Sequence, residues 1–328
     1  MKILVVFTGG TIGSFYDGEY ISTDKGKPCK LLEMYNTMFV NDINWDTESP
    51  YTILSENLDG SILIRLAECV QEALKKDYDG IIVTHGSDTL QYSAAFLSYV
   101  LGMDTVPVVL VAANYVPEDK RSNGLKNFAG AVDFIAGRGG RGVFVSYANA
   151  GEKCLIHRGT RLMSHVAYSD YLYSLDGKNY GTVSEGKFTE NAGYNEVFNS
   201  YSYKIVDNSG AESGVLWIKE HPGMLLPHFD DRIKTVLISA YHSGTICTGS
   251  DVFREWAEEA KRRKLPVYLV GQTEGPDYET CGVYKELGIK VLPCMSPVAA
   301  YVRLWLENIS ECRYGMSASI SGDIMPVM

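Results

Sequence analysis

Two short hydroxyl-rich turns stand out by their residue types and by where they fall. The first is Thr8-Gly9-Gly10-Thr11-Ile12-Gly13, directly after the apolar run Ile3 to Phe7. The second is Thr84-His85-Gly86-Ser87-Asp88-Thr89, directly after Ile81-Ile82-Val83. A Thr or Ser hydroxyl is a weak nucleophile until a neighbour takes its proton. Glycine-exposed backbone N–H groups can hold the oxyanion that forms when such a hydroxyl attacks a carbonyl. Thr11, flanked by Gly9, Gly10 and Gly13, therefore has the setting of an acyl-transfer nucleophile. The same residues also suit a plain strand-to-loop turn with a capping threonine. Gly-Gly-x-x-Gly lacks the G-x-G-x-x-G of a dinucleotide site and the G-K-[ST] of a P-loop. Ser87 reads as the N-cap of a helix, where N–H groups favour an anion or a developing oxyanion. Asp88 beside it reads as a capping or ligand-binding carboxylate, and His85 as the residue that orients the turn.

The elements around these turns must bring them together. The first half alternates strand and helix signals, which predicts a parallel or mixed sheet with helices on both faces. Strands are expected at 3–7, 80–84, 107–112 and 143–147. Helices are expected over 62–76, from Ser87 to about Val100 with Gly102 as its stop, and over 124–135. In an open α/β sheet, ligands bind past the carboxyl ends of the strands, so both turns belong at one edge. From Asp176 onward the chain is polar and rich in Gly, Asn, Ser and Tyr, which predicts a linker carrying irregular strands. Alternation then resumes, with strands at 214–218, 235–240 and 266–271 and helices at 251–264 and 297–308. The expected organisation is a larger N-terminal α/β domain over 1–180, a linker over 181–205 and a smaller C-terminal α/β domain over 206–328.

Composition narrows the function classes. The 328 residues are 45% hydrophobic and 21% charged, enough for a large core and against disorder. The net charge is −10, and the basic cluster Lys261-Arg262-Arg263-Lys264 closes a helix pattern, where cations suit the dipole. No nucleic-acid footprint is expected from this. No apolar run reaches the ~20 residues that span a bilayer, so no membrane partner is expected. The start of the chain is too short for a signal peptide before its first glycine turn. The seven cysteines are scattered without a CxxC pair, and the six histidines lack ligand spacing. The expectation is a cytoplasmic protein with no metal and no cofactor.

The two turns carry a resemblance. TGGTI and HGSDT are similar to the T-G-G-T-I and H-G-T-D-T signatures of the bacterial-type L-asparaginase/glutaminase family. Lys120-Arg121-Ser122-Asn123-Gly124 with Asn127 resembles the R-S-D-G-x-x-N segment of its cytoplasmic type I members. The resemblance covers nearly the whole chain, more loosely in the C-terminal third. It implies that Thr11 is the nucleophile and that Tyr20 is the lid tyrosine that helps activate it. It implies that Asp88 clamps the α-amino group of the substrate, and that Ser87 positions water or serves as a second nucleophile. Gly10, Ser55, Glu56, Ala112 and Ser164 are then expected at the substrate. Ser55 matches a carboxylate clamp, with Glu56 where Gln or Ser usually follows.

There are two departures from the family pattern. The type I stretch R-G-N-R-T-T-K matches Arg158-Gly159-Thr160-Arg161-Leu162-Met163-Ser164, so Ser164 stands where the family has its lysine. His165 beside it, and Lys153 if the alignment slips, are the nearby candidate bases. Y-G-x-G-N matches Tyr241-His242-Ser243-Gly244-Thr245, without the asparagine, on a wall that touches substrate, sometimes from a neighbouring protomer.

The resemblance thus implies an amidohydrolase acting on L-asparagine or a related small amide through a covalent acyl-enzyme, with activity weakened or redirected. The alternative is a protein that kept the pocket for binding or regulation and lost the chemistry. The expected partners are a small-molecule amide and further copies of the chain in a homodimer or homotetramer. A tRNA-dependent amidotransferase component is not expected, since those relatives carry an extra N-terminal domain and this chain starts at its first strand.

Overall fold

A computed structural model describes residues 1–16, 21–23, 30–40, 42–206, 212–272 and 278–326, with backbone only at 15–16 and 21–23. The chain opens with β1 (Lys2–Phe7), a short antiparallel pair β2 (Ser14–Tyr16) and β3 (Ile21–Thr23), α1 (Lys30–Met38) and β4 (Asn44–Glu48). It continues through α2 (Gly60–Ala73), β5 (Gly80–Thr84), α3 (Leu90–Leu101), β6 (Val108–Val111), α4 (Gly124–Ala136) and β7 (Val143–Tyr147). Next come β8 (Cys154–Arg158), β9 (Gly181–Ser184) and β10 (Lys187–Glu190). The last third holds β11 (Val215–Lys219), β12 (Thr235–Ser239), α5 (Asp251–Arg262), β13 (Val267–Val270), β14 (Ile289–Val291) and α6 (Pro297–Ile309).

Among the described residues an eight-stranded sheet runs in the order β10-β9-β8-β7-β6-β5-β1-β4. Strands β4, β1, β5, β6 and β7 are parallel, and β8 to β10 return antiparallel. A second, four-stranded sheet, β11-β12-β13-β14, is parallel throughout. The fold is α/β, as expected.

Alternation along the central strands explains the layers. Leu4, Val6, Ile81, Val83, Val108, Leu110, Val143 and Val145 face one core with α2, α3 and α6. Ile3, Val5, Phe7, Ile82, Val109, Val111 and Phe144 face the other with α1 and α4. Strands apolar on both faces are what a helix-covered parallel sheet requires. Gly102 (φ 73) ends α3, and Asp59 caps α2 by accepting from the Ile62 N–H at 3.0 Å. Among the described residues no helix is long and apolar enough to cross a membrane.

Several sequence expectations need correction. Residues 181–190, read as linker, form the hairpin β9–β10 and lengthen the first sheet. Phe188 there packs edge-on against Phe134 (ring centroids 4.8 Å), so the polar run hid one apolar anchor. Helix α3 begins at Leu90 rather than at Ser87, with Thr89 as the flanking residue and no side-chain cap. The Thr89 hydroxyl donates instead to the Ser55 carbonyl (3.0 Å), which frees Ser87 and Asp88 from capping.

Candidate functional site

The sheet order places this site. From β1 the chain moves to β4 on one side, then crosses back to β5 on the other. Ligands bind at such a reversal, past the strands' carboxyl ends. Phe7 pairs with Thr84 and Thr84 with Val111, so the loops after β1, β5 and β6 leave the sheet side by side.

Three fastenings then bring the loops together. The Thr8 hydroxyl donates to the Thr84 carbonyl at 2.7 Å. The Gly10 N–H donates to the Ile53 carbonyl (3.0 Å) and the Ile53 N–H to the Thr8 carbonyl (3.1 Å). The loop after β4 is thus sewn to the first turn, which delivers Ser55. The Ser55 hydroxyl donates to Asp88 Oδ2 at 3.3 Å.

The closest approach is backbone on backbone. A Cβ on Gly10 (φ 72, ψ 178) would fall on the Cα and N of Gly86, and one on Gly86 would fall on the Ser55 side chain. Only glycine permits either position. The two turns that the sequence singled out therefore touch.

Thr11 opens the 3-10 turn Thr11–Gly13 and is half-buried, as is Ser87, while Asp88 is exposed. His85 is fully buried below them. Its Nδ1 donates to the Gly86 carbonyl (2.8 Å), since a carbonyl can only accept, and its Nε2 accepts from the Ser93 hydroxyl (2.8 Å). Burial pushes its pKa down, against the pull of the Gly86 carbonyl. A neutral ring held at both nitrogens orients the turn, as expected of it.

Other candidates are placed differently. Tyr20 lies outside the described residues. Ser55 is buried and Glu56 exposed. Ala112 is fully buried at the end of β6, and its carbonyl is held by Asn127 Nδ2 (2.8 Å). Asn127 Oδ1 also accepts from the Ala148 N–H (2.8 Å), so this side chain staples the ends of β6 and β7 together. Asn114 and Asn123 exchange side-chain-to-backbone hydrogen bonds at 3.0 Å each way, which braces the loop before α4.

Ser164 is exposed, and it is His165 that turns inward. Asp88 and Asp170 both act on the His165 ring electrostatically, while burial holds its pKa below the ordinary imidazole value. Lys153 is exposed and lines a separate cleft of about 380 Å³ with Lys126 and Asp133. Asp170, which the sequence patterns do not reveal, accepts from Asn114 Nδ2 at 3.1 Å across this edge. No local motif marks it; only the path of the chain brings it here. The cluster at the end of α5 is paired within its own helix, Arg262 and Arg263 with Glu259 and Lys261 with Glu258.

The family described as "Asparaginase, N-terminal" matches residues 2–191. The chain is 27% identical to a glutamyl-tRNA(Gln) amidotransferase subunit of Archaeoglobus fulgidus, over 99% of this chain and 79% of that protein. The corresponding protein of Methanococcus maripaludis is also 27% identical, over 98% and 80%. Among solved structures, the thermostable L-asparaginase of Thermococcus kodakarensis has the same fold, with TM-score 0.74 at 23% identity over 100% of both chains. L-asparaginase I of Vibrio cholerae gives TM-score 0.75 at 18% identity over 99% of both.

These relatives correct one expectation. A small amide as sole ligand, no nucleic acid, and assembly only with copies of itself do not describe proteins named as subunits of an amidotransferase of glutamyl-tRNA(Gln). The expectation that tRNA-dependent amidotransferase components stand apart from this chain is overturned with it, since those proteins match almost all of this chain, which spans about four fifths of their length. Composition could not raise this, because a net negative charge says nothing about whether a chain assembles with other proteins. By the match over residues 2–191, the chain belongs to the asparaginase family.

Proposed function

We propose that this protein hydrolyses the C–N bond of a small amide, with Thr11 as nucleophile. The observation that carries the reading is the glycine contact between the two turns. It brings the turn that carries Thr11 against the turn that carries Ser87 and Asp88, with Ser55 bonded to Asp88 between them. The Thr11 oxygen attacks the amide carbonyl, the turn N–H groups take up the oxyanion charge, and ammonia or an amine leaves. Water then frees the acid from Thr11. Asp88, exposed and hydrogen-bonded to Ser55, suits the substrate's ammonium group. Family membership supports the reaction class, and L-asparagine is the first substrate to try.

A second reading shares this chemistry but not its destination. The named relatives are amidotransferase subunits, and the match runs through nearly the entire chain. On this reading the nitrogen released at Thr11 passes to a partner that amidates glutamyl-tRNA. Ammonia release from asparagine and glutamine, assayed with and without tRNA and cell extract, separates the two. Turnover by the isolated chain supports the hydrolase, and turnover only with added components supports the amidotransferase role. In either case Thr11→Ala should lower the rate by on the order of 10³-fold or more with the fold intact. Wild-type rates in that variant would overturn both readings.

A further inference from the structure

At the opposite end of the parallel strands from the candidate site, where β5, β6 and β7 begin, a cleft of about 720 Å³ opens. Asp77 and Asp79, on the loop before β5, line one side of it. Arg138 and Arg141, on the loop between α4 and β7, line the other. Strand β6 runs between the two loops, since Ile81 pairs with Val108 and Val108 with Val143. Two strand spacings set the backbones of the two walls roughly 10 Å apart. Opposite charges are thus held on either side of an open space, and no ion pair joins them. Arg141 holds Asp104 instead (2.5 Å), and Asp79 Oδ2 accepts from the Lys2 N–H (2.6 Å). Among the described residues the side chains of Asp77 and Arg138 have no partner.

The loop that carries the arginines reads Gly137-Arg138-Gly139-Gly140-Arg141-Gly142. It closes α4 with two bonds, from the Arg138 N–H to the Ile135 carbonyl and from the Gly139 N–H to the Phe134 carbonyl (3.0 Å each). This helix ending puts residue 138 in the left-handed region (φ 51), where glycine is the usual occupant. Packing requires the glycines that follow, since a Cβ on Gly139 would strike the Phe134 ring and one on Gly140 the Phe144 ring. At 138 the backbone favours glycine and the sequence supplies arginine. A cation suits a helix C-terminus, but weakly at an exposed position, and the left-handed backbone works against any side chain there. A guanidinium kept against that preference, on the wall of a cleft, points to something that the cleft receives.

We propose that this cleft binds a small free amino acid whose ammonium group and distal carboxylate lie at opposite ends, L-glutamate and L-aspartate being the simplest. The ammonium sits against Asp77 and Asp79. The carboxylate sits against Arg138, whose guanidinium can hold it with two parallel N–H bonds. Arg141, steadied by Asp104, adds positive charge on the same side. A ligand of this kind bridges two charged walls that are too far apart to satisfy each other. The site lies at the other end of the strands from Thr11, so it is a second, non-catalytic site and does not depend on the amide-hydrolase reading.

Titration calorimetry of the full chain with L-glutamate tests this. Glutarate lacks the ammonium and butylamine lacks the carboxylate, and each should bind about tenfold more weakly than glutamate or worse. Arg138→Gln and Asp77→Asn should each weaken glutamate by a similar factor, while Asp88→Asn, at the opposite end of the strands, should leave this binding in place. Binding lost in Asp88→Asn but kept in Arg138→Gln puts the ligand at the candidate active site and overturns the inference. So does a wild type that binds no glutamate, or that binds glutarate or butylamine equally well. A second variant separates ligand binding from a role in the fold. Arg138→Gly removes the guanidinium and gives the backbone the residue it favours, so it should keep or raise the midpoint of urea unfolding and still lose the binding. A midpoint that falls while binding is unchanged assigns the arginine to the end of α4 and overturns the inference. If the cleft binds glutamate but the wild type hydrolyses no amide, the hydrolase reading fails and the second site stands.

Discussion

At the scale of single residues, the site depends on positions where side chains are absent. Gly86 lies between the Gly10 backbone and the Ser55 side chain, with no room for a methyl group on either side. Gly86→Ala must therefore push Ser55 out or part the turns, and we expect a loss of about 1–3 kcal/mol from overpacking. Because the clash is with the Ser55 Cβ and hydroxyl, adding Ser55→Gly should recover part of that loss. A double-mutant cycle by urea denaturation checks the coupling, expected at more than about 0.5 kcal/mol. Additive losses would mean that the turns do not meet through Ser55. Ser55→Gly alone should weaken substrate binding, since it also removes the hydroxyl that fixes Asp88.

At the scale of elements, three imidazoles with shielded ring nitrogens sit on different supports: buried His85 on the turn after β5, buried His157 on β8, and half-buried His165 on the arm 162–174 between β8 and β9, whose Leu162 and Ser174 bridge antiparallel. Burial lowers the pKa of each; for His157 burial, helped by the neighbouring His165, brings it to about 3. In the unfolded chain each ring titrates near 6.5. Below that pH the unfolded state binds protons that the folded state refuses, so stability falls as pH falls. The His157 window runs from about 6.5 down to about 3. At pH 5 it alone should cost about 2 kcal/mol relative to pH 7.5. The midpoint of urea unfolding should drop over that interval, and His157→Gln should flatten the drop while keeping a partner for the Ser174 hydroxyl (2.8 Å from Nδ1). These elements also show what the sequence made legible. The strands before both turns, and α4, announce themselves through apolar runs and glycine stops, because burial on both faces leaves no polar positions. Strand β4 and the hairpin β9–β10 do not, because edge strands are half-exposed and read as polar. His165 was visible only as a neighbour of Ser164; which of the two turns inward depends on the pairing of the arm, and that is set by contacts distant in sequence.

At the scale of the whole molecule, the C-terminal segment locks the two sheets and the arm into one frame. Asp323 is fully buried and accepts from Arg303 Nη1 (2.7 Å), from the Tyr99 hydroxyl (2.9 Å), and from the Ile320 and Ile324 N–H groups (2.8 Å each). Arg303 belongs to α6 and Tyr99 to α3, so one carboxylate ties the helices that cover the first sheet to the end of the chain. Arg161, also buried, donates to the Gly322 carbonyl (2.7 Å), and Thr160 to the Ser321 carbonyl (2.8 Å). Those two residues lead directly into the arm that carries His165. Asp323→Asn leaves Arg303 charged and unpaired in the core, and we expect about 3–5 kcal/mol of destabilisation. Adding Arg303→Met removes the stranded charge while the asparagine oxygen can still accept from the backbone. The double variant should therefore be more stable than Asp323→Asn alone, by chemical denaturation. If the tail also positions the arm, Asp323→Asn should lower amide turnover under conditions where the protein remains folded, and the second substitution should restore part of that rate along with stability. Recovered stability without recovered turnover would confine the tail to holding the sheets together and leave the arm to be fixed by Asn149, which donates to the Leu172 carbonyl (3.1 Å) and accepts from the Leu172 N–H (2.9 Å).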